Sequence, residues 1–433
     1  MRKSKSILIW CVEMISSEIT ADSGHALVAG QADQPQIPRY INKQVIRRVQ
    51  SASSIYSRTI TSVDAMARLR DDWNALAADE AGSIHGFQTF DWCYAWAKTH
   101  CTPDGATPHI VTVYHGDRLV LVWPLMKTCV GPICVLRWLS DPFGQYGDVI
   151  SVSDRYLDSY LDTAWKEICE KSGAATVRLR HVRADATCHS FLESFCEIAE
   201  QPDSAPYLDL TPFNNLDAYD ARYSRTQRRR RKRIKKDLEK FGEITFIRLD
   251  EPGHLDTLID QIITQKTVWL RNRGHYSQAL TGEHCARFLK SLADQTDGSL
   301  KLVTSVLMAG KRAISFEIGL RYKGRHMCLI TAHDNNITDM SPGRLHMHYA
   351  QRQALTDGQS TFDLMVPGDP YKQSWSNDAV QVADFCTALN TRGWIFSHGF
   401  LKSARPIIRK LYHAAPPRLR RKLVPLISSM GTE

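Results

Sequence analysis

The sequence has no run of roughly 20 apolar residues, so nothing in it reads as a membrane-spanning helix. The longest candidate near the start, Ile7 to Ile15, is short and contains Glu13. Arg2, Lys3 and Lys5 precede it, but the internal charge and the lack of a small-residue cleavage pattern argue against a secretory signal. The eleven cysteines are odd in number and scattered, with no Cys-x-x-Cys pair. That argues against a disulfide framework and is read as reduced, mostly buried thiols in the cytoplasm. No Gly-x-Ser-x-Gly elbow and no Walker-type loop occurs, and no helix-turn-helix, zinc-finger or RNA-binding aromatic motif is recognised. His346 and His348 are two residues apart, so on a helix they point about 200° from one another and cannot share a metal. No metal is expected.

What is present is a chain of 433 residues, longer than one hydrophobic core usually serves, which predicts two domains. An apolar fraction of 43% and a mean hydropathy of −0.31 fit a globular protein. The net charge of +9 is concentrated: Arg222 to Lys240 holds eleven Lys and Arg against Asp237 and Glu239.

Residues 1–57 lack sustained periodicity and are read as a poorly ordered tail. An N-terminal domain is expected over 58–201, a C-terminal domain over 202–400, and a basic tail over 401–433. Val63, Met66, Leu69, Trp73 and Leu76 recur at helical spacing, and Phe90 to Trp96 forms an aromatic helical patch. His109 to Tyr114 and Leu119 to Met126 read as a hairpin around His115, Gly116 and Asp117. A second hairpin, Leu300 to Leu307 and Ala313 to Tyr322, turns at Ala309, Gly310 and Lys311, and Arg325 to Thr331 follows as a further strand. The likeness of the two hairpins suggests duplication. The fold class is therefore α+β: two related halves, each a mixed, mostly antiparallel sheet flanked by helices, packed across a cleft.

After Thr331 the pattern is a helix opening at Ser341, then a strand from Thr361 to Val366, then Gly368 to Lys372. Ser341 suits an N-cap, Pro342 the first helical position, and Gly358 the C-terminal stop. The first helical turn has backbone N–H groups without intrahelical partners. Gly343 there permits close approach and Arg344 adds a forked donor, so the turn could receive a phosphate; a capped helix that binds nothing is the plain alternative.

The string Asp334, Ser341-Pro342-Gly343-x-Leu345, Gly358, Phe362-Asp363-Leu364, Gly368-Asp369, Tyr371-Lys372, Trp375 resembles the C-terminal signature of BioF2-like/CelD-type acetyltransferases. These are GNAT-type N-acyltransferases related to the FemAB enzymes. The resemblance extends upstream through Lys266, Trp269 and Arg273-Gly274 to Trp73, Phe90, Trp92 and Trp96, and covers roughly Ser62 to Gly393. It implies tandem GNAT-like domains, acyl-CoA as co-substrate, an amine acceptor that is a small molecule or a glycan, and a place in cell-envelope or exopolysaccharide synthesis. FemAB-related enzymes imply aminoacyl-tRNA as the alternative donor. The Arg/Gln-x-x-Gly-x-Gly/Ala loop usual in GNAT enzymes is absent.

Acyl transfer needs a neutral amine, a route for its proton, and donors for the carbonyl oxygen. The candidate catalytic residues are His333 and Asp334 at the strand end, Glu317 in the strand Ile314 to Leu320, and Lys372, which the resemblance implies for the oxyanion or the donor phosphate. Ser341, Pro342, Gly343, Arg344 and Leu345 are the candidate donor-binding residues, and Trp269, Arg273, Tyr371 and Trp375 the candidate acceptor lining. Arg222 to Lys240 reads as a helix with Ile234, Leu238 and Phe241 on its apolar strip and cations elsewhere. Such a face suits RNA phosphates, an anionic membrane surface or a nucleotide-linked substrate, or is simply solvated. A nucleic-acid-binding protein is the rival reading, supported also by the basic residues from Lys402 to Lys422. The expected location is the cytoplasm, with the inner membrane face as a peripheral alternative.

Overall fold

The computed structural model describes residues 55–404 except 103–104, 250–251, 274–276, 281–282 and 296–297, together with the isolated positions 407, 410 and 414. The expected tails, and the basic cluster from Arg405 to Lys422, lie for the most part outside the described residues. Ile55 to Ser57, assigned to the first tail by sequence, already belong to a strand.

The first half contributes β1 (Ile55–Ile60), β2 (Thr107–His115), β3 (Arg118–Val130), β4 (Ile133–Trp138), β5 (Thr176–Arg183) and β6 (Asp203–Asp209), the last lying just past the boundary after residue 201 expected from the sequence. The second contributes β7 (Ile244–Leu249), β8 (Lys301–Ala309), β9 (Arg312–Tyr322), β10 (Arg325–His333), β11 (Thr361–Asp363) and β12 (Asp378–Ala388). With two short strands, Ile150–Ser151 and Glu197–Ile198, they form one 14-stranded sheet. Its order is β1-β2-β3-β4-β5-β12-β6-β11-β10-β9-β8-β7.

Counted inward from either edge, the halves follow one plan. Three antiparallel pairings lead to a parallel one, β4 with β5 and β10 with β11. The hairpins β2–β3 and β8–β9 therefore occupy equivalent places, with Gly116 and Gly310 supplying the positive φ of their turns. The expectation of two sheets facing across a cleft is corrected. The last strand of each half crosses over, β12 pairing with β5 and β6 with β11, while β6 and β12 pair with each other. The two sheets thus join edge to edge.

The helices used below are α1 (Arg70–Glu80), α2 (Phe90–His100), α3 (Leu157–Lys171), α4 (Leu216–Ala221), α5 (Arg225–Leu238), α6 (Pro252–Asn272), α7 (Glu283–Ala293), α8 (Pro342–Thr356) and α9 (Pro370–Gln373). One apolar core runs through both halves, including Trp73, Phe90 and Trp92 from the first and Phe288 and Phe316 from the second. Trp92 and Trp96 on α2 meet Phe288 on α7 edge to face, with centroids 4.8 and 5.2 Å apart. Lys323, in the β9–β10 turn, donates to the carbonyls of Ala77, Ala78 and Ala81 at 2.9, 2.9 and 2.7 Å, satisfying acceptors at the end of α1.

The reading of all cysteines as reduced is corrected at one place. Register in the β3–β4 hairpin puts Cys129 opposite Cys134, with Cα atoms 4.0 Å apart, and the two form a disulfide.

Where the halves meet, the fully buried carboxylate of Asp363 accepts hydrogen bonds from Tyr146 Oη at 2.7 Å, Arg325 Nη1 at 2.8 Å and the Met365 amide at 2.8 Å. Arg183 Nη1 lies 3.7 Å away. Asp363→Ala leaves buried donors from both halves without their acceptor. It is expected to lower stability by about 3–5 kcal/mol, measured by urea unfolding. A loss below about 1 kcal/mol would mean that apolar packing alone joins the halves.

Candidate active site

The parallel strands β10 and β11 pair only over Arg325 to Met327 and Thr361 to Asp363. Beyond that they part, while β10 continues to His333 with β9 as its strand partner on the other side. A bulge at the same level lets Gly319 oppose Cys328 and Ile318 oppose Ile330. Such a bulge re-aims side chains next to it. Cys328 is the first residue past the fork.

Lys372, on α9, is 7% exposed and donates from Nζ to the Met365 carbonyl at 3.0 Å. Burial pulls its pKa down to about 8, against the opposing pull of Asp369, Cys328 and Asp363. Lys266, on α6, is also depressed, first by burial and further by Arg273, with Cys328 and Asp369 opposing. Both ammonium groups thus lie near Cys328 and share the field of Asp369. Lys266 Nζ and the Arg273 guanidinium lie over the Trp269 ring at 4.9 and 4.3 Å. His333 meets that ring edge-on at 6.3 Å, and its Nε2 lies 3.3 Å from Thr338 Oγ1. Burial, then the charges of Lys266 and Arg273, hold His333 below the ordinary imidazole value, so it is neutral at pH 7. Tyr371, next to Lys372, is half exposed; its hydroxyl is pushed up by desolvation and then by Cys328 and Asp369. The structure therefore gathers Lys372, Tyr371, His333, Trp269 and Arg273 around the fork.

Other predicted residues are placed differently. Asp334 is committed to structure: its Oδ1 accepts the Asn336 amide at 2.9 Å and its Oδ2 accepts Arg312 Nε at 2.8 Å. Burial alone would raise its pKa, but these partners hold it below the carboxylate range, so it is a weak base. Glu317 is 2% exposed, neither on the surface nor free in the cleft. His326 Nε2 lies 2.6 Å from its Oε1, His346 Nε2 3.8 Å from its Oε2, and the Cys328 thiol is within its hydrogen-bonding field. Those contacts outweigh burial and keep Glu317 ionised. Ser305 Oγ completes the cluster 2.8 Å from His346 Nε2. Trp375 is 5% exposed in a core with Tyr219 and Tyr223, and its carbonyl accepts Gln351 Nε2 at 2.9 Å, so it supports the fold and does not line an acceptor site.

At the start of α8, Ser341 does occupy the N-cap, but with φ 58° and ψ 45° and no side-chain cap bond. Its backbone alone is engaged: the carbonyl accepts the Arg344 amide at 3.1 Å and the amide donates to the Thr338 carbonyl at 3.0 Å. Pro342 is buried at the first helical position. Leu345 is core, packed with Ile234, Leu238 and Leu307, and offers a ligand nothing but backbone. A Cβ on Gly343 would meet nothing within 4 Å. The Arg344 guanidinium has no hydrogen-bond or ion-pair partner among the described residues, and burial and then Arg230 depress its pKa. Gly358, at φ 70°, ends the helix as expected.

Cys328 and the Glu317–His326–His346 cluster escaped the sequence reading. Nothing in a run such as Met327 to Ala332 announces that a bulge will turn one thiol toward two lysines. Among the described residues no three or more His, Cys, Asp or Glu side chains are placed so that they could hold a metal ion, and no helix is long and apolar enough to cross a membrane.

Residues 225–373 match the family model for an acetyltransferase (GNAT) domain, a span that runs from α5 through α9 and supports the GNAT superfamily for this part of the chain. The crystal structure of FemX is similar at 14% identity and TM-score 0.55, over 79% of this chain and 99% of that one. The C-terminal domain of a putative lysylphosphatidylglycerol synthetase from Agrobacterium fabrum gives 10% identity and TM-score 0.49, over 78% and 96% of the chains. A tandem GNAT protein from the clavulanic acid pathway gives 10% and 0.46, over 78% and 99%. No curated protein matches in sequence. At such identity the FemX likeness shows the fold, and the fold is the α+β arrangement described above.

The depressed Lys372 makes a stability forecast. With a folded pKa near 8 and an ordinary value of 10.5, the folded chain gives up this proton before the unfolded chain does as pH rises. Stability therefore increases across that window, and below it the cost of a buried ammonium is fully present. Lys372→Met removes this cost and is expected to be more stable at pH 7 by roughly 2–3 kcal/mol, and to lack the rise between pH 8 and 10.5. Urea unfolding at pH 7 and 10 checks both; a variant less stable at pH 7 would make Lys372 a structural residue.

Proposed function

We propose that the chain is an N-acyltransferase that passes an acyl group from an acyl-CoA thioester directly to an amine at the β10–β11 fork. The observation that carries the reading is Lys372: a buried ammonium with a pKa of about 8, beside the point where two strands part. A cation buried there is suited to a carbonyl oxygen that becomes negative in the transition state.

In this reading the parted strands offer the donor a slot, since among the described residues the backbone of β10 beyond Met327 has no strand partner on that side to compete with an extended, amide-containing arm. The donor's phosphate sits over Gly343 and beside Arg344, at the first turn of α8. The acceptor amine enters near Trp269, Arg273 and Tyr371. Neutral His333 takes its proton as the new C–N bond forms, the oxyanion leans on Lys372, and the C–S bond then breaks to release the thiolate. Cys328 is not a nucleophile in this scheme. Burial and the Glu317 charge push its thiol well above the ordinary range despite two nearby lysines, so almost no thiolate is present at pH 7. Transfer within a ternary complex follows. The BioF2-like/CelD subtype, a role in envelope or exopolysaccharide synthesis and a peripheral place at the inner membrane belong to this proposal through the sequence resemblance. The aminoacyl-tRNA donor of FemAB-related enzymes is the second reading, favoured by the likeness to FemX.

If protonated Lys372 serves the oxyanion, kcat falls as pH rises through about 8, and the acid limb lies below the ordinary imidazole value of 6.5. Lys372→Arg, which stays charged, is expected to keep activity to higher pH, and Lys372→Met to lose about 100-fold in kcat with little change in KM. An unchanged alkaline limb in the arginine variant would remove Lys372 from the chemistry.

The donor site makes a separate forecast. Gly343→Trp fills open space and is expected to abolish CoA binding without unfolding the chain. Arg344→Ala weakens it by about 1.5–3 kcal/mol if a charged hydrogen bond is lost. Calorimetric titration giving wild-type affinity in both variants would rule out the start of α8.

A further inference from the structure

Helix α5 carries nine cations in 14 residues, and the fold sorts them. Its inner side, Ile234 and Leu238, is buried against Leu307 and Leu345. The cations on its flanks are occupied by the protein. Arg228 donates to the Tyr223 carbonyl at 2.7 Å, and the Arg231 guanidinium lies over the Tyr223 ring at 3.7 Å. Arg233 lies 3.9 Å from Asp237 and Lys235 3.3 Å from Glu239. Apart from Arg230, which lies toward Arg344, the remaining outward cations are Arg225, Arg229, Lys232 and Lys236. They follow one another at spacings of four, three and four residues, so they form a single straight stripe about 16 Å long. All four are exposed, and none has a hydrogen-bond or ion-pair partner among the described residues.

The stripe runs along the helix that packs on α8, where Arg230 also crowds the unpartnered Arg344. A free CoA molecule already placed at the start of α8 has too few phosphates to answer the whole row as well. A lipid surface is disfavoured because no apolar side chain on the outer face of α5 could insert. Single-stranded nucleic acid is disfavoured because no aromatic residue of this helix is available for base stacking. A straight row of cations at helical spacing matches a row of carboxylates at the same spacing on another helix.

We infer that the outward stripe of α5 docks an acidic, helical carrier protein, whose phosphopantetheine arm delivers the acyl thioester past Arg344 to the fork. This rests on the acyltransferase reading for its purpose, but the docking itself is tested by binding alone. The patch is small and polar, as in transient encounters, so the complex is weak and salt-sensitive.

The test titrates fluorescently labelled, phosphopantetheinylated acyl carrier protein against the full chain and against the Arg225→Glu, Arg229→Glu, Lys232→Glu, Lys236→Glu variant. Thermal unfolding of the variant is recorded alongside, and is expected to be unchanged because the stripe makes no intramolecular bonds. At low salt the carrier should bind wild type at least about tenfold more tightly than the variant, with the difference shrinking as salt rises. Equal binding by the two proteins overturns the proposal. So does stripe-dependent binding of duplex RNA or of phosphatidylglycerol vesicles by a wild-type chain that does not bind the carrier. Transfer assays with both donors separate this from the underlying reading: transfer from acyl-CoA that survives the charge reversal, with no preference for the carrier, sinks the docking idea while the acyltransferase stands.

Discussion

The carboxylate of Asp363 sits where the two halves of the sheet touch, and much of the architecture follows from how it is satisfied. A buried anion is tolerable only if charged or hydrogen-bonding groups surround it, since desolvation otherwise costs several kcal/mol. Here the donors come from opposite directions: Tyr146 and, more distantly, Arg183 from the first half, Arg325 and the Met365 amide from the second. Neither half could bury this group alone. The same residue ends β11, so the constraint that joins the halves also fixes where β11 stops and β10 continues unpaired. The fork that holds Lys372 is therefore a product of the junction.

Much of this was legible in the sequence because local rules decide it. Period-two runs around Gly116 and Gly310 specify hairpins in any setting, and Pro342 and Gly358 bracket α8 through backbone conformation alone. Lys372 was singled out because a short polar motif carried it. What could not be read was decided by partners far away in the chain. The exchange of β6 and β12 depends on which edge each strand finds open, and period-two patterning is the same for either choice. Ser341 has the composition of a side-chain cap, but the 3-10 turn over Asn335–Met340 delivers the chain to it in the left-handed region, where its hydroxyl does not reach the helix. Asp334 looked available for proton transfer because nothing near it in sequence reveals that Arg312, across the neighbouring strand, has already claimed it.

The site also shows how burial and charge divide labour. Lys372, Lys266 and His333 are all depressed chiefly by desolvation; Arg273 adds to the depression of Lys266 and, with Lys266, to that of His333, while Asp369 pulls both lysines back up. Such a cluster of buried positive charge is costly to the fold, and stability withheld there is available to a ligand that brings negative charge or develops it during reaction. Glu317 is the counterexample a few ångströms away. It is as deeply buried, but the two histidines keep it ionised and spent, which stabilises β9 and α8 at the back of the fork without offering a base to the front.

Helix α5 poses the same question on the surface. Neighbouring like charges at helical spacing each cost about 0.2–0.5 kcal/mol, and the stripe contains three such neighbours with nothing among the described residues to relieve them. The helix persists because its other side is secured: Ser224 and Gln227 form a reciprocal capping box, and Ile234 and Leu238 lie in a dry seam against Leu307 and Leu345. That seam is shared with α8. A displacement of α5 by a docked partner would therefore press on Leu345, one residue from Arg344, and the same packing that offsets the repulsion links the stripe mechanically to the mouth of the site.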